Sequence, residues 1–257
     1  MVLVFDLNGT LLDTSALAPE FRAIFGRRVT VEQWFTTVLE HAMVTTLIDH
    51  HRDFEDIAVS VLKMMAHAEH IELIPAQVQR IRIAMQSVPA FPDVEPALKR
   101  LRKAGYRLAV LTNSSRMTLA HQLHNACIRQ YFDQTFSVDS VGRYKPALEV
   151  YRFAAEALSA KPSDIIMVAA HHWDLQGAAR AGFKTAFIER PGRTLLPGAM
   201  PPNHTARDLK DLAKQLIQGE ETEKESHIPA RAVGSLGIAL GVAAAVLIPK
   251  LQRNDYQ

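Results

Sequence analysis

The sequence predicts an α/β protein: a doubly wound parallel sheet with an all-helical cap inserted after its first strand. Three observations carry this prediction. Short apolar runs alternate with amphipathic stretches along most of the chain. Residues able to do chemistry fall just after those runs, where a parallel sheet presents its carboxyl edge. One long block, residues 14–91, shows helical spacing and almost no strand signal. It is far longer than a connecting loop needs to be.

The elements follow in order. Residues 2–6 form the first strand, 107–112 ("RLAVLT") the second, 135–138 a third, 165–169 ("IIMVA") a fourth and 185–188 a fifth. Amphipathic helices are predicted over 94–104, 116–126, 147–158 and 174–181, and in the inserted block over 31–48, 54–67 and 75–86. Residues 1–13 and 92–218 therefore make the core, and 14–91 the cap. The run "GEETEKESH" opens a charged linker over 219–231. Residues 232–250 form an apolar C-terminal segment; its 232–249 stretch carries no charge and is bracketed by Arg231 and Lys250. Its length is at the short end for a bilayer span, and Gly237 and Gly241 are spaced for a close helix contact. We read it as a membrane anchor or a docked tail.

Composition excludes little. Apolar residues are 48% and charged residues 22%, ordinary for a globular domain, and a net charge of +2 calls for no nucleic-acid partner. A single cysteine, Cys127, excludes an intrachain disulfide and fits a reducing compartment. Its helical surroundings predict a small buried hydrophobe. No secretory signal is expected, so the expected location is cytoplasmic, with the apolar tail as the means of any membrane contact. Eleven histidines show no zinc-type spacing; His50, His51, His67 and His70 read as exposed cap residues. Met64 and Met65 read as packing residues, and Trp34 as cap core.

Four motifs carry chemistry. In "LVFDLNGTLLD" an apolar run delivers Asp6 to a Gly9-Thr10 turn, which suits a nucleophilic carboxylate. Asn8 stands two residues on. Thr112-Asn113 closes the second strand with a hydroxyl and an amide, groups that hold anionic oxygens or simply start a turn. Lys145 precedes Pro146, which is suited to the first helical position, with Tyr151 further on. A cation beside a helix N-terminus needs an anionic partner, and Asp6 is one candidate. In "VAAHHWDLQGAARAGF" Asp174 follows the fourth strand, where it caps a helix or pairs with Lys145. His171 and His172 are bases or polar loop residues.

In order and placement these motifs resemble the haloacid dehalogenase superfamily over roughly residues 1–215, whose members have a Rossmann-like core with a cap. "FSVDSVGRYKPALEVY" and Trp173-Asp174 resemble the type II 2-haloacid dehalogenase branch more narrowly, with Tyr151 six residues after Lys145. The resemblance implies a hydrolase with Asp6 as nucleophile, Lys145 supporting it, and Asp174 positioning Lys145 or water. Thr112 would hold a substrate carboxylate and Asn113 the halide. It implies no cofactor and no metal, a small 2-halo carboxylate or similar electrophile as substrate, and a homodimer. A phosphatase of the superfamily would carry an acid at Asn8 and another at Ala170; an amide cannot act as a general acid at neutral pH. The branch has an aromatic at Asn8, an arginine at Phe35, a serine at Ala169 and an asparagine at His171. Two further readings accompany the dehalogenase: a weak or inactive member acting as a tethered binding module, and a phosphatase.

Overall fold

The computed structural model describes residues 1–226. Six parallel strands form one sheet: β1 (Val2–Phe5), β2 (Arg107–Thr112), β3 (Gln134–Ser137), β4 (Ile165–Ala169), β5 (Lys184–Ile188) and β6 (His204–Ala206), in the spatial order β3-β2-β1-β4-β5-β6. Phe5 of β1 lies between Val110 of β2 and Val168 of β4. The chain winds outward from β1 to β3, then crosses back to β4 and winds the other way. The crevice beyond the carboxyl ends of β1 and β4 is therefore where such a sheet takes its ligand. β1 and β4 are buried along their whole length, as strands covered on both faces must be, and so they read as unbroken apolar runs.

Four helices lie between β1 and the rest of the sheet: α1 (Ala18–Phe25), α2 (Val31–Leu47), α3 (Phe54–Ala68) and α4 (Pro75–Gln86). Five more follow: α5 (Val94–Lys103), α6 (Arg116–Asn125), α7 (Leu148–Ala157), α8 (His172–Arg180) and α9 (Leu209–Ser226). Their sequences explain their limits. Thr30 and Gln33 close a reciprocal capping box at the start of α2, and Asp53 accepts backbone N–H bonds at the start of α3. α5 buries Val94, Ala97, Leu98 and Leu101 on one stripe and carries Arg100, Arg102 and Lys103 near its C-terminus, where the helix dipole favours cations.

The structure departs from the sequence reading in several places. β6 and α1 were not predicted: β6 is a three-residue edge strand and α1 starts on Ala18-Pro19 after a short 3-10 turn. β1 ends at Phe5, leaving Asp6 free to turn out of the sheet. Pro146 is not the first helical residue, because α7 begins at Leu148. Cys127 is exposed with a left-handed backbone (φ 55°), since the chain turns sharply after α6. Met64 is exposed, while Met65 packs on the core. α9 runs to Ser226, into the predicted 219–231 linker, whose Glu and Lys residues are good helix formers. The remainder of that linker and the 232–250 segment lie outside the described residues. Among the described residues, no helix is long and apolar enough to cross a membrane.

One apolar cluster spans the sheet and the four inserted helices. Within it the Phe21 and Trp34 rings lie 5.1 Å apart, and Trp34 Nε1 donates to the Ala58 carbonyl at 3.0 Å, so Trp34 is packing, as expected. Polar bonds also join the insert to the core. The Tyr144 backbone N–H donates to Thr46 Oγ1 (2.9 Å), and Gln122 Nε2 donates to the Met85 carbonyl (2.8 Å). A second junction forms around Asp93, where the chain leaves the insert. Its Oδ1 accepts from Arg190 (2.7 Å) and its Oδ2 from the first N–H of α9, at Leu209 (2.7 Å), while Arg190 Nε donates to the Thr10 carbonyl (3.0 Å).

Candidate active site

The fold brings Asp6, Lys145, Tyr151, His171 and Asp174 together at the switch point. Asp6 follows β1 directly, and its backbone N–H donates to Val168 of β4 at 3.0 Å. Its Oδ1 accepts from Lys145 Nζ at 2.8 Å. Its Oδ2 accepts from Thr10 Oγ1 at 2.7 Å and lies 3.0 Å from His171 Nδ1. Thr10 in turn accepts from the Ala170 N–H at 2.9 Å, which pins the turn after β1 to the end of β4.

Lys145 uses all three of its protons: on Asp6, on Asp174 Oδ2 (2.6 Å) and on the Leu111 carbonyl (3.0 Å). Tyr151 donates to Asp174 Oδ1 at 2.6 Å. The alternatives for Asp174 are thereby decided: it pairs with Lys145, while His171 occupies the cap position of α8. Both carboxylates and the ammonium are buried. Burial pushes Asp6 up, but the Lys145 charge and the bonds from His171 and Lys145 outweigh it and hold the carboxyl well below its usual range. Burial opposes the Lys145 charge too, yet Asp174 and Asp6 raise it. Asp174 is pushed up by burial and by the like charge of Asp6, against the pull of Lys145. Burial and Asp174 push Tyr151 far up, so it remains a donor.

The other predicted residues fall around this cluster. Thr112 is buried and its Oγ1 accepts from the Ser114 N–H at 3.1 Å. Asn113 Oδ1 accepts from the Lys145 N–H at 3.0 Å, and its buried Nδ2 has no hydrogen-bond partner among the described residues. Asn8 belongs to an amide network: Nδ2 donates to Ser114 Oγ and Oδ1 accepts from Gln122 Nε2, both at 2.9 Å. Phe35 points inward, its ring 6.3 Å from that of His171, which lies tilted at 5.4 Å from the ring of Trp173 in its own chain segment. His171 is thus a buried residue in contact with Asp6, whereas His172 opens α8 and its Nδ1 accepts from the Leu196 N–H. Ala169 is buried and offers no polar group.

Sequence reasoning missed Gln122 and Ser114 as the partners of Asn8. It also missed Arg190 and Arg193 in "ERPGR", although that loop follows the fifth strand and so lies at the carboxyl edge. A hard divalent cation does not fit this donor set. Both Asp174 oxygens are taken, by Tyr151 and Lys145, and Ala169 and Ala170 supply no ligand, whereas magnesium wants near-octahedral oxygen. Among the described residues, no group of three or more His, Cys, Asp or Glu side chains is arranged to hold a metal ion.

Comparison with known proteins places the chain in a family. The sequence profile of haloacid dehalogenase-like hydrolases matches residues 1–182. The chain is 29% identical over 211 residues to (S)-2-haloacid dehalogenase 4A of Burkholderia cepacia, covering 81% of this chain and 91% of that protein. It is 29% identical over 217 residues to (S)-2-haloacid dehalogenase 1 of Pseudomonas sp. (strain CBS-3), covering 84% and 96%. The fold is similar to that of the L-2-haloacid dehalogenase of Xanthobacter autotrophicus solved with chloropropionic acid covalently bound, with a TM-score of 0.78 at 22% identity, over 84% of this chain and 98% of that one. A doubly wound sheet, an aspartate turned out at its switch point and a profile match across most of the chain lead to one conclusion: this protein belongs to the haloacid dehalogenase-like hydrolases.

Proposed function

We propose that the protein is a metal-independent (S)-2-haloacid dehalogenase working through an ester on Asp6. The observation that supports this most is the setting of Asp6: a buried carboxylate kept ionised by Lys145, with the amide of Asn8 two residues on where a phosphatase would carry its general acid. An Asp6 oxygen bonds to C2 of the substrate as the carbon–halogen bond breaks, and the halide leaves with the electron pair. Halide needs no proton, so an amide at Asn8 does no harm. Water then adds to Cγ of the ester, and the Cγ–O bond to the substrate breaks. One water proton passes to the departing alkoxide and the other to solvent, restoring Asp6 and releasing a 2-hydroxy acid.

Lys145 holds and charge-balances Asp6, and Tyr151 and Asp174 hold Lys145. The free Nδ2 of Asn113 is a donor for the halide, and the Thr112 hydroxyl for the substrate carboxylate. His171 is placed to accept the water proton once its ring leaves Asp6.

The test is chloride release from (S)-2-chloropropionate by the purified full chain, with mass analysis of the peptide carrying Asp6. The expected result is chloride above background, a trapped adduct on Asp6, and neither with Asp6→Asn. Chloride from wild type and Asp6→Asn alike would overturn the nucleophile, and magnesium-dependent hydrolysis of p-nitrophenyl phosphate would favour a phosphatase. The engagement of both Asp6 oxygens, and Phe35 in place of a cation, favour a second reading: a weak or inactive binding module tethered through residues 232–249. That reading expects neither chloride nor adduct.

A further inference from the structure

Two cavities of very different size meet at Phe35. The inner one, lined by Asn8, Ser114 and Gln122 among others, is about 20 Å³, room for one water at most. The outer one is about 550 Å³. Cavities of ~300–1,000 Å³ take ligands of drug size. A 2-halopropionate, with six non-hydrogen atoms, would leave most of the outer cavity empty.

Its lining has a definite chemistry. Phe21, Phe91 and Val29 make an apolar wall. Arg22, Arg27, Arg190 and Arg193 face Asp13 and Glu32, an excess of cations. Arg22 and Arg27 have no acidic partner among the described residues. Arg190 is neutralised by Asp93, but its buried NH2 group has no hydrogen-bond partner there. Arg193 is 3.6 Å from Glu32 on one side. On the other it reaches Gly9: a Cβ built there would lie 3.9 Å from Arg193 NH2 and 3.3 Å from His171 Nε2. Gly9, in a left-handed conformation (φ 77°), lines the cavity. The cavity floor therefore brings a guanidinium close to the edge of the ring that covers Asp6. That ring edge, Nε2, is buried without a hydrogen-bond partner. A buried polar atom left bare is unfavourable, and a hydrogen-bond partner arriving beside it removes that cost.

We propose that the outer cavity is the substrate pocket, and that it selects 2-halo acids with a long or bulky apolar arm. The arm lies along Phe21, Phe91 and Val29. Arg193 takes the carboxylate oxygen that the Thr112 hydroxyl does not, supplying the cation that Phe35 does not. This rests on the dehalogenase reading for its chemistry but not for its binding.

The experiment compares bromide release by the full chain from (S)-2-bromooctanoate and (S)-2-bromopropionate, and measures calorimetric binding of unreactive octanoate. The expected kcat/KM is at least tenfold higher for the longer acid. Val29→Trp, which fills the cavity, should cut that preference at least tenfold and abolish octanoate binding. Arg193→Gln should raise KM for the longer acid with little change in kcat, and circular dichroism confirms that both variants fold. Equal or better turnover of the shorter acid, or a preference that Val29→Trp leaves intact, would overturn the proposal. Should neither acid release bromide, the covalent chemistry fails; octanoate binding that is lost in Val29→Trp would still support the pocket, and no binding would sink it.

Discussion

At the scale of single residues, one ammonium holds two buried carboxylates. Removing a partner from such a cluster costs about 3–5 kcal/mol, because charges are left unpaired in a poor solvent. Lys145→Met is therefore expected to lower stability at pH 7 by roughly that amount, read from urea unfolding. The sign of its pH dependence follows from Asp6. Its carboxyl sits below its ordinary value of 3.8 in the folded state, so the stability it contributes is complete above 3.8 and is lost as pH falls towards the folded value. The gap between wild type and Lys145→Met should accordingly narrow as pH drops through 4 and below. Constant separation of the two curves down to pH 3 would mean that Asp6 is not the ion Lys145 holds. The triad itself was legible: Asp6, Lys145 and Asp174 each follow a strand in a fold whose strand ends converge. The position of His171 was not. A ring placed against a carboxylate 165 positions away leaves no local pattern, and a polar residue in a loop reads the same whether it faces water or Asp6.

At the scale of elements, α7 and α8 approach through a glycine. A Cβ at Gly177 would lie 2.7 Å from Pro146 Cβ, Tyr151 Cε2 and Tyr151 OH. The aromatic contact of Tyr151 with Phe183, at 6.0 Å and nearly perpendicular, confines the ring from another side. Gly177→Ala should push the Tyr151 hydroxyl off Asp174 and destabilise the protein by about 1–3 kcal/mol, the usual cost of overpacking. Halide release should fall with it, whereas Gly219→Ala, with nothing within 4 Å, should leave both unchanged. A thermal midpoint for Gly177→Ala equal to wild type would show that the helices part freely. Elements with an unbroken apolar run were legible almost to the residue, as with β2 and β4, and so was α4, whose start Pro75 marks. β6 was not, because three residues at a sheet edge carry no periodicity. α1 was hidden because its proline reads as a breaker unless it is known to stand at a helix start.

At the scale of the whole molecule, the insert and the sheet share one apolar cluster and several polar ties, so they should unfold together. The two tryptophans report on each half: Trp34 is buried in the insert and Trp173 stands beside β4. Single-tryptophan variants Trp34→Phe and Trp173→Phe should, after correction for their own stability by circular dichroism, give fluorescence midpoints in urea that match the circular dichroism midpoints. A transition at Trp34 well ahead of the loss of helix would mean the inserted helices melt on their own. The junction at Asp93 carries this unity further. One carboxylate grips the first amide of α9 and the arginine that braces the turn beyond β1, so load applied at α9 is felt at that turn through three hydrogen bonds. Loosening that joint would reach Asp6 as a slackened hinge rather than as a missing group.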